Sequence, residues 1–221
     1  MRMFYLIMFI FIVLINISCS SIRMVRPLQV SEQRINLSMG GPMIDNMGFP
    51  MPLPVISMDY QYGLFTNITI GGAFHITPAV FNIFGMFEVD SAFGLLEQSG
   101  FIPSLTGQLN FILMSDLKTS FYIFPQVVII PSWRINDYFM LYCGVSSIII
   151  LYPKTQGLGN NWFAFSFPVG LQLDLGNFAI NAECGISSPF SNNKNLVLSY
   201  IGFGDYGALA PYISLSYRFG R

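Results

Sequence analysis

Apolar and polar residues alternate with a period of two along most of this 221-residue sequence. The last segment, PYISLSYRFGR, shows the pattern, since every second residue from its isoleucine to its phenylalanine is apolar. Because a β-strand turns successive side chains to opposite faces, such a segment has one apolar face and one polar face. About ten segments of this kind follow one another from residue 34, separated by turns rich in glycine, asparagine and aspartate. The pattern predicts an all-β protein of about ten antiparallel strands, within a range of about eight to twelve.

The charged residues inside these segments fall on the polar faces, whose other members are mainly serine, threonine, asparagine, glutamine and glycine. Only 10% of the sequence is charged, whereas soluble proteins average about 25%. Such faces are too poor in charge for the surface of a soluble protein, but they suit a narrow, partly filled lumen. The polar cluster predicted to share this lumen consists of Asp59, His75, Glu88, Asp90, Asp174, Glu183 and Arg218.

The apolar faces suit lipid, and strands can lie in a bilayer only when a closed barrel pairs all of their backbone groups. We therefore predict an antiparallel transmembrane up-and-down β-barrel. A polytopic α-helical membrane protein and a soluble β-sandwich stay open as alternatives. Against the helical alternative, the best uninterrupted apolar run, residues 138–153, is shorter than the roughly 20 residues that a spanning helix needs.

The first 18 residues have the pattern of a signal peptide, in which one basic residue precedes about a dozen apolar residues and then several small ones. Cys19 directly after this segment resembles the lipid-attachment site of bacterial lipoproteins, which implies cleavage before the cysteine and a lipid on it. Asn16 departs from that pattern, so ordinary cleavage after Ser20 is the alternative. Residues 19–33 are then expected to form a periplasmic leader, anchored by the lipid if Cys19 carries one.

From residue 34 to residue 221 the chain resembles a small bacterial outer-membrane β-barrel. The resemblance rests on the signal peptide, the two-residue alternation and the segment YISLSYRFG. That segment is similar to the C-terminal signal read by the barrel-assembly machinery, although two residues follow Phe219. The resemblance implies that the last strand, with Tyr217 and Phe219, closes the barrel against the first. It also implies a location in the bacterial outer membrane, with membrane lipids and the assembly machinery as partners.

The sequence contains none of the short motifs that mark zinc proteases, nucleotide-binding loops, redox cysteine pairs or serine hydrolases, so no cofactor is expected. A net charge of −1 gives no indication of a nucleic-acid partner. A ten-stranded barrel is only slightly wider than the eight-stranded barrels that side chains fill. These observations favour a non-enzymatic barrel, either structural or with a narrow pore.

One enzymatic alternative depends on His75, the sole histidine. A lipid-modifying enzyme of the outer membrane could use it as a base, with Ser57 as nucleophile and Asp59 or Glu88 as the acid. The competing interpretation is a histidine satisfied among the carboxylates of a polar lumen. We expect the second, and with it a lumen that is sealed or that passes small cations.

Overall fold

The structure, a computed structural model, describes residues 24–46, 49–80, 85–115, 121–151, 162–193 and 200–220. Alternating β-branched or aromatic and small polar residues favour strands, and nearly all of the described chain is β-sheet. The strands are β1 (Gln33–Gly40), β2 (Met43–Asn46), β3 (Phe49–Pro52), β4 (Val55–Phe65), β5 (Ile68–His75), β6 (Gly85–Leu96), β7 (Ser104–Ser115), β8 (Phe121–Arg134), β9 (Phe139–Cys143), β10 (Val145–Ile149), β11 (Phe163–Leu175), β12 (Phe178–Asn192) and β13 (Tyr206–Phe219), and the one helix in the described ranges is α1 (Ile76–Val80).

The strands form a closed antiparallel barrel. β1 pairs with β4 on one side and with β13 on the other, where Gln33 lies opposite Phe219 and Gly40 opposite Tyr212. From β4 the order continues through β5, β6, β7 and β8, and then from β11 through β12 to β13. Between β8 and β11, the short strands β9 and β10 act as one strand interrupted at Gly144. The described chain therefore makes a ten-stranded barrel, as predicted from the alternation.

Both alternatives to the barrel are wrong. The run on which the helical alternative depended, residues 138–153, supplies β9 and β10. The sheet closes on itself instead of splitting into two packed layers. Within the described ranges, no helix has the length and apolar character needed to cross a membrane.

The two ends of the barrel differ in their connections. One end, which we call the turn end, holds the start of β1, the end of β13 and two tight turns at residues 66–67 and 176–177. Gly176 adopts a φ of 68°, a conformation that glycine accepts without steric cost. The opposite end, the loop end, holds most of the longer connections, including the β2–β3 hairpin and α1. Short turns at one end and longer loops at the other are typical of outer-membrane barrels.

The barrel is apolar outside and polar inside, the reverse of a soluble protein. Among the described barrel strands, every charged residue stands at an inward-facing position. The outward positions carry exposed aliphatic and aromatic side chains, for example Met39 (52% exposed), Val169 (61%) and Leu215 (51%). Only a surrounding apolar medium makes such a surface favourable. The architecture is that of an outer-membrane β-barrel.

Aromatic rings gather on the outside of the turn end where the first and last strands meet. Tyr217 lies 4.9 Å from Phe178 and 6.0 Å from Phe219, measured between ring centroids. On the other side of β1, the Tyr60 hydroxyl donates to Gln33 Oε1 at 2.8 Å. The predicted closing residues Tyr217 and Phe219 thus stand at the seam of the barrel, in the position of an interfacial aromatic girdle.

Candidate functional site

The barrel interior is the candidate site, and its best-connected group surrounds Asp59, which is 2% exposed. Asn36 Nδ2 donates to Asp59 Oδ2 at 2.7 Å, and Gln61 Nε2 donates to Asp59 Oδ1 at 2.8 Å. Arg34 Nε in turn donates to Gln61 Oε1 at 2.7 Å. The register of β1 and β4 creates this group, since it places Asn36 opposite Asp59 and Arg34 opposite Gln61.

Asp90 joins the same layer across β5. Gly71 stands opposite both Gln61 and Asp90 in the sheet. A Cβ atom at position 71 would overlap Asp90 Oδ1 and crowd the Gln61 side chain. The glycine therefore leaves the space in which the Asp90 carboxylate lies over β5, beside the group around Asp59.

Asp174 organises a second group at the turn end. Its Oδ1 accepts from Arg218 Nη2 at 3.0 Å and from Gln172 Nε2 at 2.8 Å, and its Oδ2 accepts from Arg134 Nη2 at 3.2 Å. Arg218 also donates to the carbonyl of Gly176 at 3.0 Å, so it fixes the turn between β11 and β12. Charge-assisted hydrogen bonds of this kind are stronger than neutral ones.

Glu183 accepts from the Tyr142 hydroxyl at 3.0 Å, in a third group that is buried in the interior. The Tyr142 ring lies directly over Gly170 on the neighbouring strand, where any Cβ atom would overlap its Cζ and hydroxyl. Glycine at this position lets a large ring lie flat against the inner wall and fill the lumen.

His75 and Glu88 form a fourth group, with His75 Nε2 and Glu88 Oε1 at 2.6 Å. Ser57 stands opposite His75 in the sheet, and its hydroxyl lies 2.6 Å from that of Ser38. All four side chains are at most 4% exposed. The enzymatic alternative requires a substrate to reach Ser57 and His75, and in this structure both are enclosed by the barrel wall and its contents.

The predicted lumen residues all lie at inward-facing positions of the barrel, but they do not make one mutually bonded cluster in the contacts described above. Asp90 lies beside the group around Asp59, Asp174 binds Arg218 in a second group, Glu183 pairs with Tyr142, and His75 pairs with Glu88. These four groups link strands of the barrel from the inside.

Part of the interior is apolar, which the alternation pattern did not reveal. Two buried clusters occupy it. The cluster nearer the loop end, called here the inner apolar cluster, contains Met86, Ile112, Met114, Phe124, Ile148 and Ala164, and the second contains Val25, Val128, Ile130, Met140 and Tyr142. With apolar clusters and bonded polar groups, the inner wall resembles a packed core more than an aqueous channel.

Residues 24–32, here called the leader segment, pass through the turn-end half of the barrel. Met24 and Leu28 are 0% and 5% exposed. The backbone of the segment is held from two sides, because Gln108 Nε2 donates to the Met24 carbonyl and the Leu28 amide donates to Thr69 Oγ1 at 2.7 Å. Nothing in the sequence analysis anticipated this position for residues of the leader.

Side chains of the leader segment complete the filling. Val25 belongs to the second apolar cluster. The Arg26 guanidinium donates to Ser132 Oγ at 3.0 Å and to Gln98 Oε1 at 2.7 Å, reaching the opposite wall near the turn end. Gly63 accommodates the segment where it crosses β4, since a Cβ atom there would overlap the carbonyl of Gln29.

Sequence reasoning missed three arginines that donate hydrogen bonds to interior groups, namely Arg26, Arg34 and Arg134. Arg34 shares the phase of Asn36 and Ser38, so the alternation of β1 could have revealed it. Arg26 and Arg134 carried no usable signal, because one precedes the first strand and the other ends β8. The buried leader residue Glu32 was missed as well. Among the described residues, six acids therefore face four arginines, which is closer to charge balance than the five acids and one arginine of the predicted cluster but still leaves an excess of acids.

Several predictions concern residues outside the described ranges. The signal peptide (residues 1–18) and the lipid attachment at Cys19 both precede residue 24, where the description starts. Among the described residues, no group of three or more histidine, cysteine, aspartate or glutamate side chains could hold a metal ion.

Comparison with known proteins gives likeness of fold only. No protein-family model matches the chain, and no curated protein matches it. Among solved structures, an outer-membrane channel from Pseudomonas putida F1 is 9% identical, with 90% of this chain and 100% of the other covered and a TM-score of 0.49. The translocator domain of the autotransporter NalP from Neisseria meningitidis is 11% identical, with 87% and 90% covered and a TM-score of 0.47. Ail, the attachment invasion locus protein of Yersinia pestis, is 16% identical, with 86% and 100% covered and a TM-score of 0.35.

Proposed function

We propose that the protein is a non-enzymatic barrel of the bacterial outer membrane whose lumen is closed to free diffusion of solutes. The observation that carries the proposal is the reversed polarity of the barrel, with all charges of the described barrel strands inside and an apolar exterior. The turn end then faces the periplasm and the loop end the exterior, as in other barrels with both chain ends in the periplasm. Membrane lipids and the barrel-assembly machinery are its proposed partners.

Closure of the lumen is supported by what fills it. Buried side chains cover the inner face of every barrel strand. They include side chains of the four bonded groups, of the two apolar clusters and of the contacts with the leader segment. A ten-stranded barrel has little interior space beyond that needed by its own side chains. The leader segment adds further atoms inside the wall, where it is hydrogen-bonded to Gln108, Thr69 and Ser132.

Deleting residues 24–31 is expected to turn a silent barrel into a conducting one. In planar bilayers the wild-type protein should show no conductance, or only small cation-preferring steps because carboxylates line the interior. Removal of the leader segment should make such steps larger and more frequent. Val30→Ser is the matched control, since Val30 is 54% exposed and its side chain leaves the buried contacts untouched. Large anion-selective channels in the wild type would contradict the proposal, as would a deletion variant that assembles and stays silent.

The non-enzymatic part of the proposal predicts no lipid hydrolysis. Purified wild-type protein in mixed micelles of detergent and phospholipid should release no fatty acid above the blank, and His75→Ala and Ser57→Ala should give the same result. The physical reason is the burial of both side chains, at 1% and 4% exposure. Hydrolysis by the wild type that either substitution abolishes would establish the enzymatic alternative in its place.

Lipidation of Cys19 is a separate proposal, supported by the position of the cysteine directly after an apolar signal segment. Cells labelled with a radioactive fatty acid should incorporate label into the wild-type protein and not into Cys19→Ala. Equal incorporation would show that the lipid is elsewhere, and a mature chain that starts at Ser21 would identify cleavage after Ser20.

A further inference from the structure

The wall of the barrel is incomplete between β11 and β12 at the loop end. Their described pairing ends with Ser166 opposite Ser187. Towards the loop end from this pair, residues 163–165 of β11 pair only with β10 in the described register. Residues 188–191 of β12 fall where the register between β12 and β13 shifts. Ser188 has a φ of 48°, an uncommon conformation for a residue with a side chain, and it marks the place where β12 leaves the ladder.

A cavity of about 390 Å³ occupies this parting of the strands. Its walls are mainly aromatic, since it is lined by Trp162, Phe163, Phe165 and Phe190, with Ser188 and Ser191 beside them. Phe165 lies 6.3 Å from Phe163 and 6.4 Å from Phe190, the latter edge-to-face. The volume falls within the range of about 300 to 1,000 Å³ that is typical of small-molecule sites.

The cavity connects two apolar regions. On its outer side, Phe163 and Phe165 belong to the outward row of β11 that also carries Val169, and all three are exposed. On its inner side it is lined by Ala164, which faces into the barrel and belongs to the inner apolar cluster. None of the lining residues that the structure describes is charged. The cavity is therefore continuous with the exterior that faces lipid, and its floor is the apolar interior of the loop end.

We propose that this cavity holds one acyl chain of a membrane lipid from the surrounding outer leaflet. The proposal rests on the proposed function, because it requires the exterior of the barrel to lie in a bilayer. The aromatic walls would contact the chain along its length. A water-soluble ligand fits less well, since a site for one would need charged or convergent polar groups.

The expected preference for this site is modest, for a physical reason. Lipid tails are as apolar as the cavity, so the hydrophobic effect does not favour transfer of a chain from the bilayer into it. The preference must come from close packing of the chain against the rings. By analogy with packing energies inside membranes, we expect a chain to occupy the cavity roughly three- to tenfold more often than an average position on the barrel surface.

Photo-crosslinking tests the proposal. The mature protein is reconstituted in phosphatidylcholine vesicles that contain a trace of phosphatidylcholine with a diazirine at the end of one acyl chain. After irradiation, peptides are mapped by mass spectrometry. Labelling of residues 162–166 and 187–192 should exceed labelling around Phe121 by the factor given above. Phe121 is the internal reference because it is an exposed aromatic residue at the loop end, on β8.

Two variants change the cavity in opposite ways. Phe190→Ala removes one wall and Ser191→Trp fills the space, and both should lower labelling of the cavity to the level of the reference. Phe121→Ala is the matched control and should leave labelling of the cavity unchanged. Each variant is first shown to be assembled by the heat-dependent shift of its electrophoretic mobility.

The outcomes separate this proposal from the one on which it rests. An assembled, bilayer-inserted protein that is labelled equally at the cavity and around Phe121 would overturn the lipid site and leave the barrel function intact. Labelling that stays high in both cavity variants would overturn it as well. Failure of the wild type to insert into vesicles at all would instead overturn the proposed function.

Discussion

Phe167→Arg is expected to remove most of the assembled protein from the membrane, whereas Ser166→Arg should remove much less. Phe167 is an outward residue of β11, opposite the outward Ile186 on β12. Arginine on the lipid face costs about 2–4 kcal/mol near the middle of the bilayer and less towards either interface, and such a cost is a sizeable fraction of the roughly 5–15 kcal/mol by which proteins are stable. Ser166 faces inward between Ser146 and Ser187, so an arginine there keeps its charge within the polar interior.

The measurement is the amount of heat-modifiable protein in isolated outer membranes, compared at equal expression. Ser166→Arg is the matched control, because it introduces the same side chain one residue away on the opposite face. Some loss is expected from it too, since the lumen has little free space. Equal loss from the two substitutions would show that the two faces are not distinguished by lipid, and would contradict the proposed membrane location.

The strand number and the phase of the charged residues could be predicted because both depend on a local pattern. Alternation with a period of two is a property of each segment alone. A charged side chain on a barrel strand can point only to the lipid or to the lumen. Asp59, Asp174 and Arg218 could therefore be assigned to the interior without knowledge of their partners. The stretch that supplies β9 and β10 is apolar on both faces for a reason visible only in the fold, namely that Met140 and Ile148 join interior apolar clusters.

The partners of these residues could not be predicted, because they depend on register and on distant parts of the chain. Arg26 contacts Ser132, 106 positions away, and Met24 contacts Gln108, 84 positions away. No local pattern records such contacts. For the same reason, the parting of β11 and β12 at Ser187 was not expected, since the sequence of β12 alternates no differently from that of a fully paired strand until its last residues.

Removing one member of the buried pair of His75 and Glu88 is expected to destabilise the barrel strongly, while removing both should not. The two side chains are 1% and 0% exposed and their polar atoms are 2.6 Å apart. His75→Leu leaves the Glu88 carboxylate buried without this partner, and loss of one member of a buried pair costs about 3–5 kcal/mol. Glu88→Leu should have a similar cost. The double variant His75→Leu/Glu88→Leu removes both polar groups at once, and apolar replacement of a whole buried pair is often close to neutral.

Urea unfolding of the protein in lipid vesicles, followed by the fluorescence of its two tryptophans, measures the free energy of unfolding for each variant. Asn181→Leu provides the matched control, because it breaks a neutral interior hydrogen bond from Asn181 Nδ2 to Ser214 Oγ at 3.0 Å. That loss leaves the buried Ser214 hydroxyl without this partner and should cost about 1–3 kcal/mol, less than the loss of one member of the buried pair. If the costs of the two single substitutions simply add in the double variant, His75 and Glu88 act independently. The pair would then not act as the interior cross-link between β5 and β6 that the 2.6 Å contact indicates. The interpretation that His75 has a purely structural role would lose its main support.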